Sequence, residues 1–239
     1  MSETITNKNK KIFYIEWQLF VMLYSEERKI VLNACREMVG SNLTVGSWGN
    51  ISLRAEDGNI IITPSGTNYS KSLPEDIVVT DIEGNVIDGK LKPSSERLMH
   101  YEIYKNRQDV KAIVHTHSIY SSVLAVTGDG IPPVTEDTAM LLGAKVNVSK
   151  YALTGTMELA KYVVEGLESN NATIMKNHGA VSVGTDMERA IVASQVLEKS
   201  AKIFITAKMI GEVNILPSED VVKLRSMSEG YLNQWKNWK

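Results

Sequence analysis

A mixed or antiparallel β-sheet covered by helices is the fold this chain predicts, on three observations. Two acidic-Gly turn signals, Asp57-Gly58 and Glu83-Gly84, each lie between short runs of strand-forming residues. Helical periodicities precede and follow these runs, supplying layers to cover a sheet. Strands and helices do not alternate regularly, no Gly-x-Gly-x-x-Gly follows a strand, and no Gly-Lys-Ser/Thr loop occurs. These absences argue against a doubly wound dinucleotide fold and against a phosphate loop of the nucleotide-binding kind.

The elements follow in order. Ile30, Val31, Ala34 and Met38 recur at helical spacing and predict a helix over 26–39, ended by Gly40 and Asn42. Asn50–Arg54 and Asn59–Thr63 flank the first turn, and Ile77–Asp81 and Val86–Asp88 flank the second. Ser94 or Ser95 is expected to cap a helix reaching about Asn106. Val110–Thr116 then reads as a strand, Tyr120–Val126 as a helix and Met157–Glu168 as another. Ala172–Lys176 and Ala180–Gly184 read as strands. Asp186 is expected to cap a long helix to about Met209, with Ala190, Ile191, Ser194, Leu197, Ala201 and Ile205 on one face.

Size and composition bound the function. The 239 residues suffice for one large domain with a sizeable core. A net charge of -2 gives no basic footprint for nucleic acid, so a phosphorylated small molecule would need local donors. Cys35 has no cysteine partner, which suits a reducing compartment, and its neighbours place it on a buried helix face as a structural thiol. The apolar stretch Ile12–Tyr24 is interrupted by Glu16 and Gln18 and, at about 13 residues, falls short of the roughly 20 a membrane span needs. It is expected to pack onto the body or onto a neighbouring subunit. The compartment expected is the cytoplasm, with no membrane and no nucleic-acid partner.

Three of the four histidines fall in two short motifs. His115 and His117 stand at i and i+2 at the end of an apolar strand, so both imidazoles share a face and can converge on one ion. His178, in Asn177-His178-Gly179 between two apolar strands, is a third candidate ligand. Three histidines with an open position match a catalytic rather than a structural metal site. His100, inside the helix after Glu96, reads as a packing residue or as a support for its neighbours. Lys92-Pro93-Ser94-Ser95-Glu96 reads equally as a plain helix start or as a phosphate cradle of hydroxyls and free N–H groups. Thr63-Pro64-Ser65-Gly66 and Gly46-Ser47-Trp48-Gly49-Asn50 are likewise either turns or anion nests.

Together the motifs resemble the class II aldolase/adducin family. Gly46-Ser47-Trp48-Gly49-Asn50-Ile51-Ser52, Ile62-Thr63-Pro64-Ser65-Gly66, Pro93-Ser94-Ser95-Glu96, His115-Thr116-His117 and Asn177-His178-Gly179 occur in the family's order, and the resemblance covers about 26–210. It implies a single catalytic domain over 1–239, with an N-terminal extension over about 1–25 and a C-terminal tail over about 218–239. It implies an α/β fold with a central mixed, largely antiparallel sheet between helix layers, and a homo-oligomer, most often a tetramer, with sites at subunit interfaces. One divalent ion per chain, Zn²⁺ or else Mn²⁺ or Co²⁺, falls on His115, His117, His178 and Glu96, with Glu96 also in the general-base position. The substrate's phosphate falls on Ser47, Asn50, Ser65, Gly66, Ser94 and Ser95.

Glu96 stands where the family's epimerases carry Asp. This leans toward the L-fuculose-1-phosphate aldolase-like branch, which cleaves a ketose 1-phosphate to dihydroxyacetone phosphate and a small aldehyde. A 4-epimerase or dehydratase on the same scaffold is the alternative, and a metal-free adducin-like scaffold the third reading. The branch's proton-donating tyrosine is missing from Ile131-Pro132-Pro133-Val134-Thr135-Glu136-Asp137, so Glu136, Asp137 and Tyr231 are the candidates for that role. Trp48 replaces a residue that is commonly small in the family.

Overall fold

The computed structural model describes residues 22–236, excluding the side chains of the last helical residues. The expected N-terminal extension and its apolar stretch lie outside the described residues, apart from its last few positions.

The described residues form one eight-stranded sheet: β1 (Asn50–Arg54), β2 (Ile60–Ile62), β3 (Val78–Thr80), β4 (Val86–Asp88), β5 (Ala112–Thr116), β6 (Val148–Ser149), β7 (Ala172–Met175) and β8 (Gly179–Gly184). Their spatial order is β4-β3-β2-β1-β5-β8-β7-β6. Every pairing is antiparallel except β6 with β7. Both turns read from the sequence close hairpins. Gly58 and Gly84 take positive φ there, and Asp57 and Asp81 accept from backbone N–H groups two residues on.

Among the described residues seven α-helices cover the sheet: α1 (Ser25–Gly40), α2 (Arg97–Asn106), α3 (Ile119–Thr127), α4 (Glu136–Leu141), α5 (Met157–Leu167), α6 (Met187–Ile210) and α7 (Ser218–Lys236). The two-residue period of the strands sorts the core into two faces. Ile51, Ile61, Val79, Ala112 and Val114 pack with Val31, Leu32, Cys35 and Met38 of α1 and with Ala190 and Ile191 of α6. Ile60, Ile62, Val78, Ile113, Val181 and Val183 point the other way, onto Met99, Ile103 and Tyr104 of α2 and Leu159 and Val163 of α5. A third cluster joins α3 and Ala193, Leu197, Ala201 and Phe204 of α6 to β7 and β8. The mixed, largely antiparallel sheet between helix layers is therefore as expected, with Cys35 fully buried.

Three features depart from the sequence reading. The helix expected to be capped by Ser94 or Ser95 begins at Arg97, with Glu96 at the N-cap position and no side-chain cap. The Ser94 hydroxyl instead accepts from the Glu96 N–H, and the Glu96 side chain turns inward. Glu136–Leu141, unassigned from sequence, is a short helix, and Val148–Ser149 is a two-residue edge strand. The tail from Ser218 is also helical, with Val221 buried. All three elements are too short or too polar to show a period on their own, and packing against neighbours decides them.

Candidate active site and metal centre

Strand alternation and helix spacing bring the site together. His115 shares the parity of Ile113, so it points to the α2 side of the sheet, where Val181 of β8 is its register partner. It is fully buried. His117 lies just past β5, and its backbone N–H donates to the Leu43 carbonyl, which fixes the strand end against the loop after α1. His178 sits in the tight turn between β7 and β8. Asn177 there takes φ 55° and the His178 N–H donates to the Met175 carbonyl. Glu96 reaches the same point from the start of α2.

The four side chains converge, with ligand atoms all within 4.8 Å of one another. His115 Nε2 lies 3.1 Å from Glu96 Oε2, His178 Nε2 3.2 Å from Glu96 Oε1, and His117 Nε2 3.0 Å from His115 Nε2. The donor set fits a cation. His115 Nδ1 donates to the Ala180 carbonyl at 3.0 Å, leaving Nε2 of the neutral ring with a lone pair aimed at its neighbours. Facing lone pairs at these distances are stable only with a proton or a metal ion between them, and three imidazoles with one carboxylate are the ligands of a divalent ion.

Electrostatics agree with this. Burial presses His117 down to about 3 and His178 to about 4, so both rings are neutral ligands near pH 7. Burial alone would push the Glu96 carboxyl upward, but His115 and His178 beside it win and hold it well below the usual carboxylate range. His115 is also buried, yet the Glu96 carboxylate outweighs that and favours a proton on Nε2. That proton marks the place a metal ion would take, so metal binding is coupled to its release.

Above the four residues opens a cleft of about 590 Å³. All six residues expected to hold a phosphate line it: Ser47, Asn50, Ser65, Gly66, Ser94 and Ser95. Two of their loops are joined backbone to backbone. The Ser65 N–H donates to the Lys92 carbonyl at 3.0 Å and the Ser94 N–H to the Thr63 carbonyl at 3.0 Å. Among the described residues, no lysine or arginine lines the cleft. Trp48 stands 65% exposed at its rim, its ring 5.6 Å from that of His117.

The structure adds residues that sequence reasoning missed. Thr154 donates to Glu96 Oε1 at 2.8 Å, and Tyr151 and Leu153 of the same loop line the cleft. Tyr69 also lines it and donates to the Gly49 carbonyl at 2.7 Å. Asn50, expected at a phosphate, donates from Nδ2 to Glu96 Oε2 at 2.8 Å. The candidates for the second proton-transfer group lie elsewhere in the single chain. Glu136 is exposed at the start of α4, and Asp137 beside it pairs with Lys199 and accepts from the Thr135 hydroxyl. Neither lines the cleft. Tyr231 falls within α7, and its side chain lies outside those described.

The model of the family described as "Class II Aldolase and Adducin N-terminal domain" matches residues 29–205, which span every motif of the site. The chain belongs to the class II aldolase and adducin family. A 5-deoxy-D-ribulose 1-phosphate aldolase of Bacillus thuringiensis is 36% identical over 214 residues, covering 89% of this chain and 100% of that protein. A 5-methylthioribulose-1-phosphate/5-deoxyribulose-1-phosphate aldolase of Rhodospirillum rubrum is 35% identical, covering 84% of this chain and 90% of its own. Among solved structures, an L-fuculose 1-phosphate aldolase superposes with a TM-score of 0.84 at 33% identity, covering 87% of this chain and 98% of its own. With a complete donor set for a divalent ion and aldolases as end-to-end relatives, this member is a class II aldolase, an aldehyde-lyase, rather than an adducin-like scaffold.

Proposed function

We propose that the chain reversibly cleaves a ketose 1-phosphate to dihydroxyacetone phosphate and a small aldehyde, in the cytoplasm and as a homo-oligomer, most simply a tetramer. The observation that carries the reading is one cleft with the Glu96, His115, His117, His178 set at its floor and six hydroxyl- or amide-bearing positions along its wall. These residues would hold one divalent ion, Zn²⁺ in first place and Mn²⁺ or Co²⁺ otherwise. When bound, the ion supplies Lewis acidity toward the carbonyl and hydroxyl oxygens of the ketose.

The chain's own residues do the rest. Ser47, Ser65, Gly66, Ser94 and Ser95 hold the phosphate with hydroxyl and backbone N–H donors, with Asn50 at the inner end, and so fix the reacting carbons over Glu96. In the synthetic direction the Glu96 carboxylate, anchored on both oxygens, removes the C3 proton of dihydroxyacetone phosphate and becomes the carboxylic acid; in the cleavage direction that acid, protonated from solvent, gives its proton to C3 and is left as the carboxylate. Another group takes the C4 hydroxyl proton. For Glu136 or Asp137 to do so, it must arrive from a neighbouring subunit, because neither faces the cleft of its own chain. Tyr231 is the third candidate.

Trp48, Tyr151 and Leu153 give the mouth an apolar wall, which suits an aldehyde ending in a methyl or methylthio group. Substrates of the kind named for the relatives therefore head the test: L-fuculose 1-phosphate, 5-deoxyribulose 1-phosphate and 5-methylthioribulose 1-phosphate. Metal-reconstituted protein is mixed with each, and dihydroxyacetone phosphate is detected by enzymatic reduction. Release from at least one supports the proposal. Release from none, with a pentulose phosphate epimerised at C4 instead, would replace it with the epimerase reading.

A further inference from the structure

A buried file of hydrogen bonds runs inward from Glu96, and beyond Asn50 none of its members lines the cleft. Glu96, His100 and Tyr104 repeat at i, i+4 and i+8 and share the face of α2 that packs on the sheet. Asn50 and Ser52, at i and i+2 of β1, meet them there. Asn50 Nδ2 lies 2.8 Å from Glu96 Oε2, Asn50 Oδ1 pairs with His100 Nε2, His100 Nδ1 lies 2.7 Å from Ser52 Oγ, and Ser52 Oγ lies 2.8 Å from the Tyr104 hydroxyl. His100, Ser52 and Tyr104 are all fully buried.

The chemistry of each member fixes the direction of the file. An ionised Glu96 only accepts, so the Asn50 NH₂ must face it and the Asn50 carbonyl must face His100. His100 Nε2 then carries the proton. Burial keeps the ring neutral, so Nδ1 accepts from the Ser52 hydroxyl, which in turn accepts from Tyr104. One tautomer and one amide orientation satisfy every group, and a flip anywhere would strand a buried donor or acceptor.

We infer that His100 is a positioning residue, locking the Asn50 amide so that Asn50 in turn holds the Glu96 carboxylate toward the ion. This rests on the proposed reading of the four-residue set as a metal centre but not on the identity of the ketose.

The test is a Zn²⁺ titration of the full chain against a chromophoric chelator, with kcat and KM for ketose phosphate cleavage as the second readout. His100→Leu removes both ring nitrogens, and His100→Gln keeps a donor within reach of Asn50. His100→Leu should weaken Zn²⁺ binding and lower kcat by roughly 10- to 100-fold each, the range for losing such a support, while KM moves little. His100→Gln should recover most of both. In a Glu96→Ala background, His100→Leu should change Zn²⁺ affinity by less than about twofold, because its route to the ion is gone. Equal losses in both backgrounds would mean a packing defect and overturn the inference, as would unchanged Zn²⁺ affinity in His100→Leu. If His100→Leu does not fold, Ser52→Ala frees Nδ1 without opening the space beside Glu96 and must show the same dependence on Glu96. The Zn²⁺ arm needs no substrate, so absence of cleavage counts against the proposed reaction alone.

Discussion

Replacing Glu96 by Gln separates holding an ion from moving a proton, and the surroundings determine how the amide will sit. Each carboxylate oxygen accepts one hydrogen bond at 2.8 Å, Oε2 from the Asn50 amide and Oε1 from the Thr154 hydroxyl. Asn50 can only donate there, because its carbonyl is engaged by His100. Thr154 can rotate its hydroxyl and accept. Glu96→Gln will therefore turn its carbonyl to Asn50 and its NH₂ to Thr154, keeping an oxygen beside His115. The variant should retain its metal and bind substrate, while the cleavage rate falls by about 10²- to 10⁴-fold, or roughly 2.7–5.4 kcal/mol of barrier. Solvent exchange at the hydroxymethyl carbon of dihydroxyacetone phosphate, which becomes C3 of the ketose, should fall with it. Metal content is read by elemental analysis, exchange by proton NMR in deuterated water, and cleavage by the coupled assay. Exchange and cleavage both at wild-type rates would refute the role of Glu96 as the proton-transfer group.

Four further outcomes are expected. His115→Ala should lose most of the ion and nearly all activity, and elemental analysis showing full occupancy with normal turnover would contradict the metal assignment. Ser94→Ala combined with Ser95→Ala should raise KM for the phosphorylated substrate while leaving metal content unchanged; removing hydrogen bonds to a charged group, at about 1.5–3 kcal/mol each, makes the rise at least tenfold. Equal turnover of dephosphorylated sugar would reduce these loops to turns. Gly179→Ala should lower metal occupancy, because the added Cβ would lie 2.3 Å from the Thr116 carbonyl oxygen and force the His178 turn off β5; a fully loaded variant would refute that packing argument. Sedimentation at micromolar concentration should show an oligomer, given exposed apolar residues such as Val45, Ile119 and Val126, and a monomer would contradict the proposed assembly.

The parts of the fold with strong local signals were legible. Asp57-Gly58 and Glu83-Gly84 are turns because glycine supplies the positive φ and aspartate the local acceptor. Asp186 does cap α6, accepting from the Arg189 N–H at 2.9 Å. The expected Ser94 or Ser95 cap failed because Glu96 serves two ends. Its backbone starts α2 while its carboxylate is drawn to the histidines, and local propensity yields to that pull. Thr154 was invisible because its partner Glu96 is 58 positions away, and nothing in a threonine before a glycine announces a carboxylate. The inner file was half legible: the spacing of Glu96, His100 and Tyr104 gives one helix face, but only the pairing of β1 with β5 and the packing of α2 show that Asn50 and Ser52 complete it.

Three segments of the site, at Asn50, Thr154 and His178, couple a functional side chain to a glycine beside it, and the contacts of those glycines show why. A Cβ on Gly49, next to Asn50, would lie 2.6 Å from the His115 carbonyl oxygen, and one on Gly179, next to His178, would meet Thr116 as closely. The end of β5 is thus gripped from both sides by backbone that only glycine allows to come so near. That grip brings Asn50 and His178 within reach of Glu96, whose carboxylate faces His115. Gly155 repeats the pattern, with φ 75° and an added Cβ 3.1 Å from the Ser95 carbonyl, and the residue beside it is Thr154, which holds Glu96. Any one of these segments alone is an ordinary turn. They become a site because three glycines press their neighbours onto the same two stretches of chain, the end of β5 and the start of α2, which carry His115, His117 and Glu96. A methyl group at Gly49 or Gly179 would press on His115, through its carbonyl oxygen or its ring, and one at Gly155 would press on the chain beside Glu96.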